Sequence, residues 1–290
     1  MKIKKSLFII SFFLIPLVLN SNERKSSYPF ISGDSFRSYC NFTYDEITRN
    51  INPELVKNGD TIFVKTDYLG DFFTTIHNKI TSRYILITHN SDFPIPGNYA
   101  HKLNDPKLIA WFGQNVENYL HPKLHPIPIG VANSYWPHGN IKTLTNASQF
   151  IHQQSRDIFL YLNINLKTNP SKRVIVFDTF INEPFCFHSS PKPFSKYLED
   201  LTKSIFVVSP RGNGLDCHRT WEALLMGAIP IVISSSLDPM FEDLPVLIVN
   251  DWNEITLPML EAKYLEFQTT TFNNEKKYLD YWLKLIDSFK

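Results

Sequence analysis

The chain has 290 residues, of which 43% are hydrophobic and 14% aromatic, enough to fill two cores of ordinary domain size. Its formal net charge of +1 excludes a general nucleic-acid-binding surface but allows a local basic cleft for a small anion. The three cysteines cannot all pair with one another and lack C-x-x-C spacing, so the sequence shows neither a disulfide framework nor a zinc site.

The first 22 residues have the features of a targeting segment. A lysine-rich start precedes an apolar run at residues 7–19, which is followed at once by polar residues. The run is shorter than the ~20 residues of a bilayer span and contains Pro16, which favours a cleaved signal peptide. The lack of a small-residue cleavage site favours an uncleaved type II anchor instead. Both alternatives export the chain, to the lumen of the secretory pathway or to a bacterial envelope, with residues 7–19 as the potential membrane tether.

Residues 23–145 are predicted to form a first α/β domain. The stretch up to Asn58 is polar and irregular, and we expect an ordered lead-in without regular elements. Beyond it, the apolar periodicity predicts strands at 61–67, 84–89, 108–112 and 127–131, with a helix over 70–80. The turn-rich stretch at 136–147 indicates the boundary, which we place after residue 145.

Residues 146–290 are predicted to form a second α/β domain. The expected strands are 158–165, 205–208, 229–233 and 246–250, and the expected helices are 194–203, 216–226, 258–267 and 273–289. A helix start is indicated at Asn169 and Pro170, but periodicity leaves open whether 174–180 continues that helix or forms a strand. The last helix is placed to pack back on the first domain.

The segment at 204–236 forms the centre of the second domain. Its order is strand, turn, helix, strand, which is a βαβ unit of a parallel sheet. The turn follows the strand that ends at Val208, at the edge where open α/β sheets bind ligands. We therefore expect the chemistry of the protein at this turn.

The turn carries groups suited to a diphosphate. Gly212 and Gly214, which flank Asn213, permit positive φ, so the amides of the turn are predicted to point at an anion. Arg211 and Arg219 are predicted to bind phosphate oxygens in the fork geometry of a guanidinium. The segment lacks the Gly-Lys-Ser/Thr ending of a P-loop and the third glycine of a GxGxxG motif.

Three further residues of this helix have two interpretations each. Glu222 shares a helical face with Arg219, and its carboxylate is predicted either to accept the hydroxyls of a ribose or to pair with Arg219. His218 is either a phosphate donor or a structural hydrogen-bonding residue. Cys217 is interpreted as a packing residue rather than a nucleophile, because the sequence places no second base beside it.

In the first domain, His89 and Asp92 follow a predicted strand at the ligand-binding edge of the sheet. Either residue is a candidate general base for an acceptor hydroxyl, and the alternative is that both satisfy the loop backbone. No Asp-x-Asp pair occurs in the chain, so we expect no metal and no cofactor, with arginines and helix ends carrying the leaving-group charge.

The segments SPRGNGLDCHRTWEALLMGAIPIVI and LPVLIVNDW, within residues 204–252, resemble the carboxyl-terminal signature of exostosin-like glycosyltransferases. The resemblance implies an α/β fold of the GT-B type, with two Rossmann-like domains that face each other across a cleft. It also implies a nucleoside-diphosphate sugar, with UDP-sugars as the expected donors, bound through Arg211, Arg219 and Glu222.

These observations predict a metal-independent, inverting glycosyltransferase that acts on a hydroxyl of a glycan or glycoconjugate. The catalytic candidates are His89 and Asp92. The donor-binding candidates are Arg211, Gly212, Asn213, Gly214, His218, Arg219 and Glu222. The alternative is an inactive glycan- or nucleotide-binding protein with the same fold. The expected partners are small molecules and glycans rather than nucleic acid.

Overall fold

The computed structural model describes residues 24–151 and 155–290, and in this part of the chain it contains two five-stranded sheets. All the paired strands of both sheets are parallel. The predicted α/β class is therefore confirmed. The predicted targeting segment lies outside the described residues, and no helix within them is long and apolar enough to cross a bilayer.

The first sheet has its strands in the order in which they occur along the chain. They are β1 (Phe42–Tyr44), β2 (Asp60–Lys65), β3 (Tyr84–His89), β4 (Leu108–Gly113) and β5 (Leu124–Pro126). Its helices are α1 (Gly33–Tyr39) and α2 (Leu69–Thr75). All six residues of β3 are buried, as expected for the centre of a parallel sheet that is covered on both faces.

Two predictions for the first half are wrong. The lead-in is not irregular, because Ser32 caps α1 and β1 pairs with β2, which brings Phe42 opposite Ile62. The strand predicted at 127–131 is absent, and the fifth strand is β5 instead. Pro128 has no amide to donate to a ladder and Gly130 has a φ of +66°, so this segment cannot continue the strand.

The second sheet has the strand order β10-β9-β8-β6-β7. Its strands are β6 (Ile158–Leu162), β7 (Cys186–His188), β8 (Ser204–Val208), β9 (Ile229–Ile233) and β10 (Leu247–Val249). The helices from this half are α3 (Ile141–Gln149), α4 (Pro170–Phe180), α5 (Phe194–Lys203), α6 (His218–Leu225), α7 (Asp238–Phe241), α8 (Leu257–Thr269) and α9 (Leu279–Asp287). Since β6 lies between β7 and β8, the chain reverses direction across the sheet there, which creates a topological switch point.

The segment at 174–180, which periodicity left open, belongs to helix α4. Val176 and Phe180, four residues apart, are buried on one face, whereas Val174 and Ile175 remain exposed. The β-branched residues therefore do not form a strand, because the Pro170 start and the burial of one helical face outweigh their strand propensity.

The border between the two halves differs from the prediction. Residue 145 lies inside helix α3. Leu144 of this helix is fully buried in a cluster with Tyr161 and Val207 of the second sheet. The chain therefore passes to the second sheet before α3 begins.

The end of the chain returns to the first sheet. Leu279, Trp282 and Ile286 of α9 are buried in the same core cluster as strands β2, β3 and β4. Just beyond the helix, the Phe289 ring lies 5.3 Å from the ring of Phe112 in an edge-on arrangement. The last helix thus completes the core of the first sheet.

Candidate functional site

A cavity of about 1210 Å³ lies between the two sheets. One wall comes from the second half: the loop after β6 at 163–168, the turn at 212–217 and the first turn of α6. The other wall comes from Asp92, Ile129, Pro137 and His138 of the first half. Residues at the start of α5, in the second half, complete the lining. Because β6 and β8 flank the switch point, the cavity lies where parallel sheets open to ligands.

Two arginines, Arg173 and Arg219, line this cavity, and neither forms an ion pair with a carboxylate of residues 24–151 or 155–290. Arg173, at the start of α4, is 5% exposed; its Nε donates to the Arg211 carbonyl and its Nη1 to the Asn165 carbonyl, both at 3.0 Å. Arg219 has its Nε and Nη1 buried with no hydrogen-bond partner in the described part of the chain. Burial and the nearby charge of Arg219 lower the pKa of Arg173. The guanidinium groups of buried Arg173 and half-buried Arg219 are close enough to interact, an arrangement that suits an anionic ligand.

Glu222 lies on the same wall, one turn along α6. It is 5% exposed, and its Oε2 accepts a hydrogen bond of 2.9 Å from the Tyr197 hydroxyl. Burial raises the pKa of Glu222 to about 7, against the opposing effects of Tyr197 and Arg219. Within the described residues Glu222 forms no ion pair with Arg219, so its carboxyl group is available to a hydroxyl-bearing ligand.

The ring of His218 also lines the cavity. Its Nδ1 lies 2.7 Å from the carbonyl oxygen of Gly130. A carbonyl oxygen only accepts, so Nδ1 carries the hydrogen. Burial lowers the pKa of His218 to about 4, which keeps the ring neutral near pH 7. Of the two interpretations left open by the sequence, this geometry favours the structural hydrogen bond over donation to a phosphate.

Three amides at the end of the turn, those of Leu215, Asp216 and Cys217, are held by side chains of the protein. Asn115 Oδ1 accepts from the amides of Leu215 and Asp216, each at 3.0 Å. Asp216 Oδ1 in turn accepts from the amide of Cys217 at 2.8 Å, and its Oδ2 accepts from the amide of Ile129 at 2.8 Å. The polar groups of the turn therefore fix it to the first half of the molecule.

The glycines of the turn serve close approach rather than positive φ. Neither Gly212 nor Gly214 adopts positive φ. A Cβ on Gly214 would lie 2.6 Å from Asn115 Nδ2, and a Cβ on Gly212 would lie 3.3 Å from Arg173 Nη2. The pattern of two glycines is thus explained by the side chains of Asn115 and Arg173 that lie against the turn.

Arg211 lies on the other side of the turn from Arg219. Its Nη1 is 3.2 Å from Glu117 Oε1, and the residue lines a separate cavity of about 510 Å³ with Ser209 and Ser234. The side chain therefore does not join Arg219 in the larger cavity, where Arg173 lies instead. Sequence reasoning missed Arg173; the available signal was an arginine in the first turn of a helix that follows a strand at the ligand-binding edge.

The two predicted bases of the first half differ in access. His89 is 1% exposed; its Nε2 donates to the Pro128 carbonyl at 3.0 Å and its Nδ1 accepts from the Asn90 amide at 2.7 Å. Both ring nitrogens are therefore engaged. Asp92 is exposed at the rim of the cavity, where its Oδ2 accepts a bond of 3.3 Å from Asn213 Nδ2. Only Asp92 faces the cavity.

In residues 24–151 and 155–290, no cluster of histidine, cysteine, aspartate or glutamate has an arrangement that could hold a metal ion.

No protein-family model matches the sequence, and no curated protein matches it. Among solved structures, the chain is similar to the UDP-GlcNAc 2-epimerase from Methanocaldococcus jannaschii. The sequence identity is 10%, the match covers 76% of this chain and 72% of that chain, and the TM-score is 0.32. A likeness this slight identifies neither a family nor a reaction.

Proposed function

We propose that the protein is a metal-independent glycosyltransferase of the exostosin-like type that moves a sugar from a nucleoside-diphosphate sugar to a hydroxyl group of a glycan or glycoconjugate. One observation carries the proposal. Half-buried Arg219 lines a cavity at a switch point beside buried Arg173, and two of its guanidinium nitrogens are buried without a hydrogen-bond partner in the described part of the chain. A buried cation is costly without an anion, and a diphosphate supplies one that spans both guanidinium groups.

The rest of the wall fits the other parts of such a donor. The amino end of α6 lies at the cavity, where its dipole favours negative charge. Glu222, oriented by Tyr197, has the position and protonation behaviour to bind the hydroxyls of a ribose. A volume of about 1210 Å³ accommodates a nucleotide sugar and part of an acceptor. A uridine diphosphate sugar is the first donor to test.

In the proposed reaction, an acceptor hydroxyl attacks the anomeric carbon from the side of the first half. The bond between that carbon and the diphosphate breaks, and its electron pair leaves with the diphosphate. Arg173 and Arg219 stabilise this leaving group where its charge develops. A base in the cavity removes the hydroxyl proton, and the configuration at the anomeric carbon inverts.

The decisive experiment combines binding and turnover. UDP, GDP and a panel of UDP-sugars are screened by thermal shift, since a ligand at a hundredfold its dissociation constant stabilises by about 2.7 kcal/mol. Release of nucleotide from the stabilising sugars is then measured. Binding with release supports the transferase, whereas binding without release indicates an inactive nucleotide-binding protein. A panel with no stabilising nucleotide contradicts the donor site.

A matched pair of variants locates the site. Arg219→Ala removes one of the two cations of the cavity, and we expect UDP affinity to fall at least tenfold, in line with about 1.5–3 kcal/mol for a charged hydrogen bond. Arg211→Ala removes a guanidinium eight residues earlier that pairs with Glu117 outside this cavity. It should change UDP affinity less than threefold. Equal losses in the two variants would contradict the placement.

A further inference from the structure

The histidine at the start of α6 has one ring nitrogen held and the other available. The Gly130 carbonyl accepts the hydrogen of His218 Nδ1 at 2.7 Å. In a neutral ring the second nitrogen, Nε2, then carries a lone pair. Within the described part of the chain Nε2 has no hydrogen-bond partner, and the residue lines the cavity. A lone pair fixed in direction by a bond to the opposite nitrogen is the arrangement of a general base.

His89, by contrast, has both of its ring nitrogens hydrogen-bonded. Both nitrogens of His89 are used by the main chain, and the residue is 1% exposed. An acceptor hydroxyl would have to break one of these bonds to reach its lone pair. His218 needs no such rearrangement.

The surroundings of His218 place its ring between the two sides of the cavity. Asp92 and His138 lie near it in the first half, with 6.3 Å between the His138 and His218 rings, and buried His89 is close enough to interact with it electrostatically. On its own helix it is followed at once by Arg219, and Glu222 lies one turn further on. The ring thus adjoins the cation that would hold the leaving group and the wall from which an acceptor would approach.

The charge state of the ring agrees with this geometry. Burial and the neighbouring His138 lower the pKa of His218 to about 4, while Asp92 and the bond to Gly130 act in the opposite direction. The ring is therefore neutral from about pH 5 upwards. Asp92 is placed to stabilise the imidazolium once it forms.

We infer that His218 is the general base of the proposed transfer, a role that rests on the proposed function. Nε2 removes the proton of the acceptor hydroxyl as the acceptor oxygen bonds to the anomeric carbon. The bond from that carbon to the diphosphate breaks, its electron pair leaves with the diphosphate, and the proton remains on Nε2 until it passes to solvent. When water takes the place of the acceptor, the same base drives slow hydrolysis of the donor.

The test measures hydrolysis of the UDP-sugar that wild-type protein turns over, with water as acceptor. His218→Ala should lower kcat by at least a hundredfold, within the 10²–10⁴ range of general base catalysis. UDP affinity should stay within threefold of wild type. Added imidazole should restore part of kcat in His218→Ala, which a merely structural role would not produce.

A second variant guards against misfolding. His218→Asn retains an amide that can donate to the Gly130 carbonyl but lacks a base, so it should melt like wild type and still lose kcat. His188→Ala, at an exposed histidine outside the cavity, serves as control and should match wild type. In wild type, kcat should fall at low pH as His218 becomes protonated, which gives the acid limb of the pH profile. This acid limb should disappear in both His218 variants.

Several results would overturn the inference. They are wild-type kcat in His218→Asn, a loss of UDP affinity in place of kcat, or removal of the acid limb by Asp92→Asn or His138→Ala instead. These results would leave the donor site intact. A wild-type protein that releases no nucleotide from any UDP-sugar would instead overturn the proposed function together with this base.

Discussion

The two sheets of the protein have the same number of parallel strands but differ in strand order. In the first sheet neighbouring strands follow one another along the chain, so every connection moves in the same direction. In the second sheet the order reverses between β6 and β8, and the connections leave on opposite faces there. The large cavity opens at that reversal. Strand order, rather than strand number, therefore decides which half contributes the proposed anion site.

The charges of the cavity follow the same division. The second sheet provides Arg173 and Arg219, whereas the first half provides main-chain groups and Asp92 to the opposite wall. The first half also fixes the turn at 212–217, because Asn115 accepts hydrogen bonds from two of its amides. The second half therefore supplies the two arginines. The first half holds the turn in place and forms the wall from which the proposed acceptor would approach.

The substitution with the largest expected effect tests whether the stability of the first sheet depends on helix α9. Trp282 in α9 is 3% exposed, and its Nε1 donates to the Lys276 carbonyl at 2.9 Å. Trp282→Ala should lower the free energy of unfolding by about 3–5 kcal/mol, because it leaves a large cavity in the core. Urea denaturation measures this change, with Leu265→Ala, at a 65% exposed position of α8, as the control. A change below about 1 kcal/mol would show that the first sheet stands without α9.

The next effect tests the fixation of the turn. Asn115→Ala leaves the amides of Leu215 and Asp216 without their acceptor, and an unsatisfied buried group costs about 1–3 kcal/mol. We expect a loss of about 3 kcal/mol in the free energy of unfolding and weaker UDP binding. Asn118→Ala is the matched control, since both asparagines have positive φ, 58° and 53°, but Asn118 is exposed. Equal losses would assign the effect to backbone strain alone.

The smallest effect concerns the buried carboxyl group of the second sheet. Burial raises the pKa of Glu222 from 4.5 to about 7, so the folded state holds its proton more tightly than the unfolded state. The stabilisation is complete below pH 4.5 and is lost as the pH rises through 7. Glu222→Gln should remove this part of the decline, a difference of up to about 3 kcal/mol between the two profiles.

The comparison is made between wild type and variant because other groups titrate in the same range. Asp216 has its pKa raised to about 6, and His89 and His218 have theirs lowered to about 4. Their contributions are common to both proteins and cancel in the difference. Parallel profiles for wild type and Glu222→Gln would contradict the raised pKa.

Much of the fold could be predicted from the sequence because central parallel strands are buried on both faces. The strand Tyr84–His89 begins with four consecutive apolar residues for that reason, and it was correctly predicted. The helix and strand of the lead-in were not predicted. Phe36 has polar neighbours in the sequence, and its burial depends on tertiary contacts. The helix at 170–180 was ambiguous because its β-branched residues lie partly on the exposed face.

The candidate site was only partly predictable. The segment from Gly212 to Glu222 does line the cavity, as its place after a strand indicates. The role of its amides was not predictable, because their acceptor, Asn115, lies 100 residues earlier in the chain. The sequence predicted Arg211 in the larger cavity, but the turn directs this side chain to the smaller cavity, and Arg173 lines the larger one.

The attachment of the turn to the first half has a kinetic consequence. Asn115, Asp216 and His218 join the two walls of the cavity through hydrogen bonds of 2.7–3.0 Å. A nucleotide bound as proposed would meet walls that these bonds hold together, and its association would need no closure of one half on the other. Its association rate should then follow diffusion and fall with ionic strength, as electrostatic steering toward Arg173 and Arg219 requires.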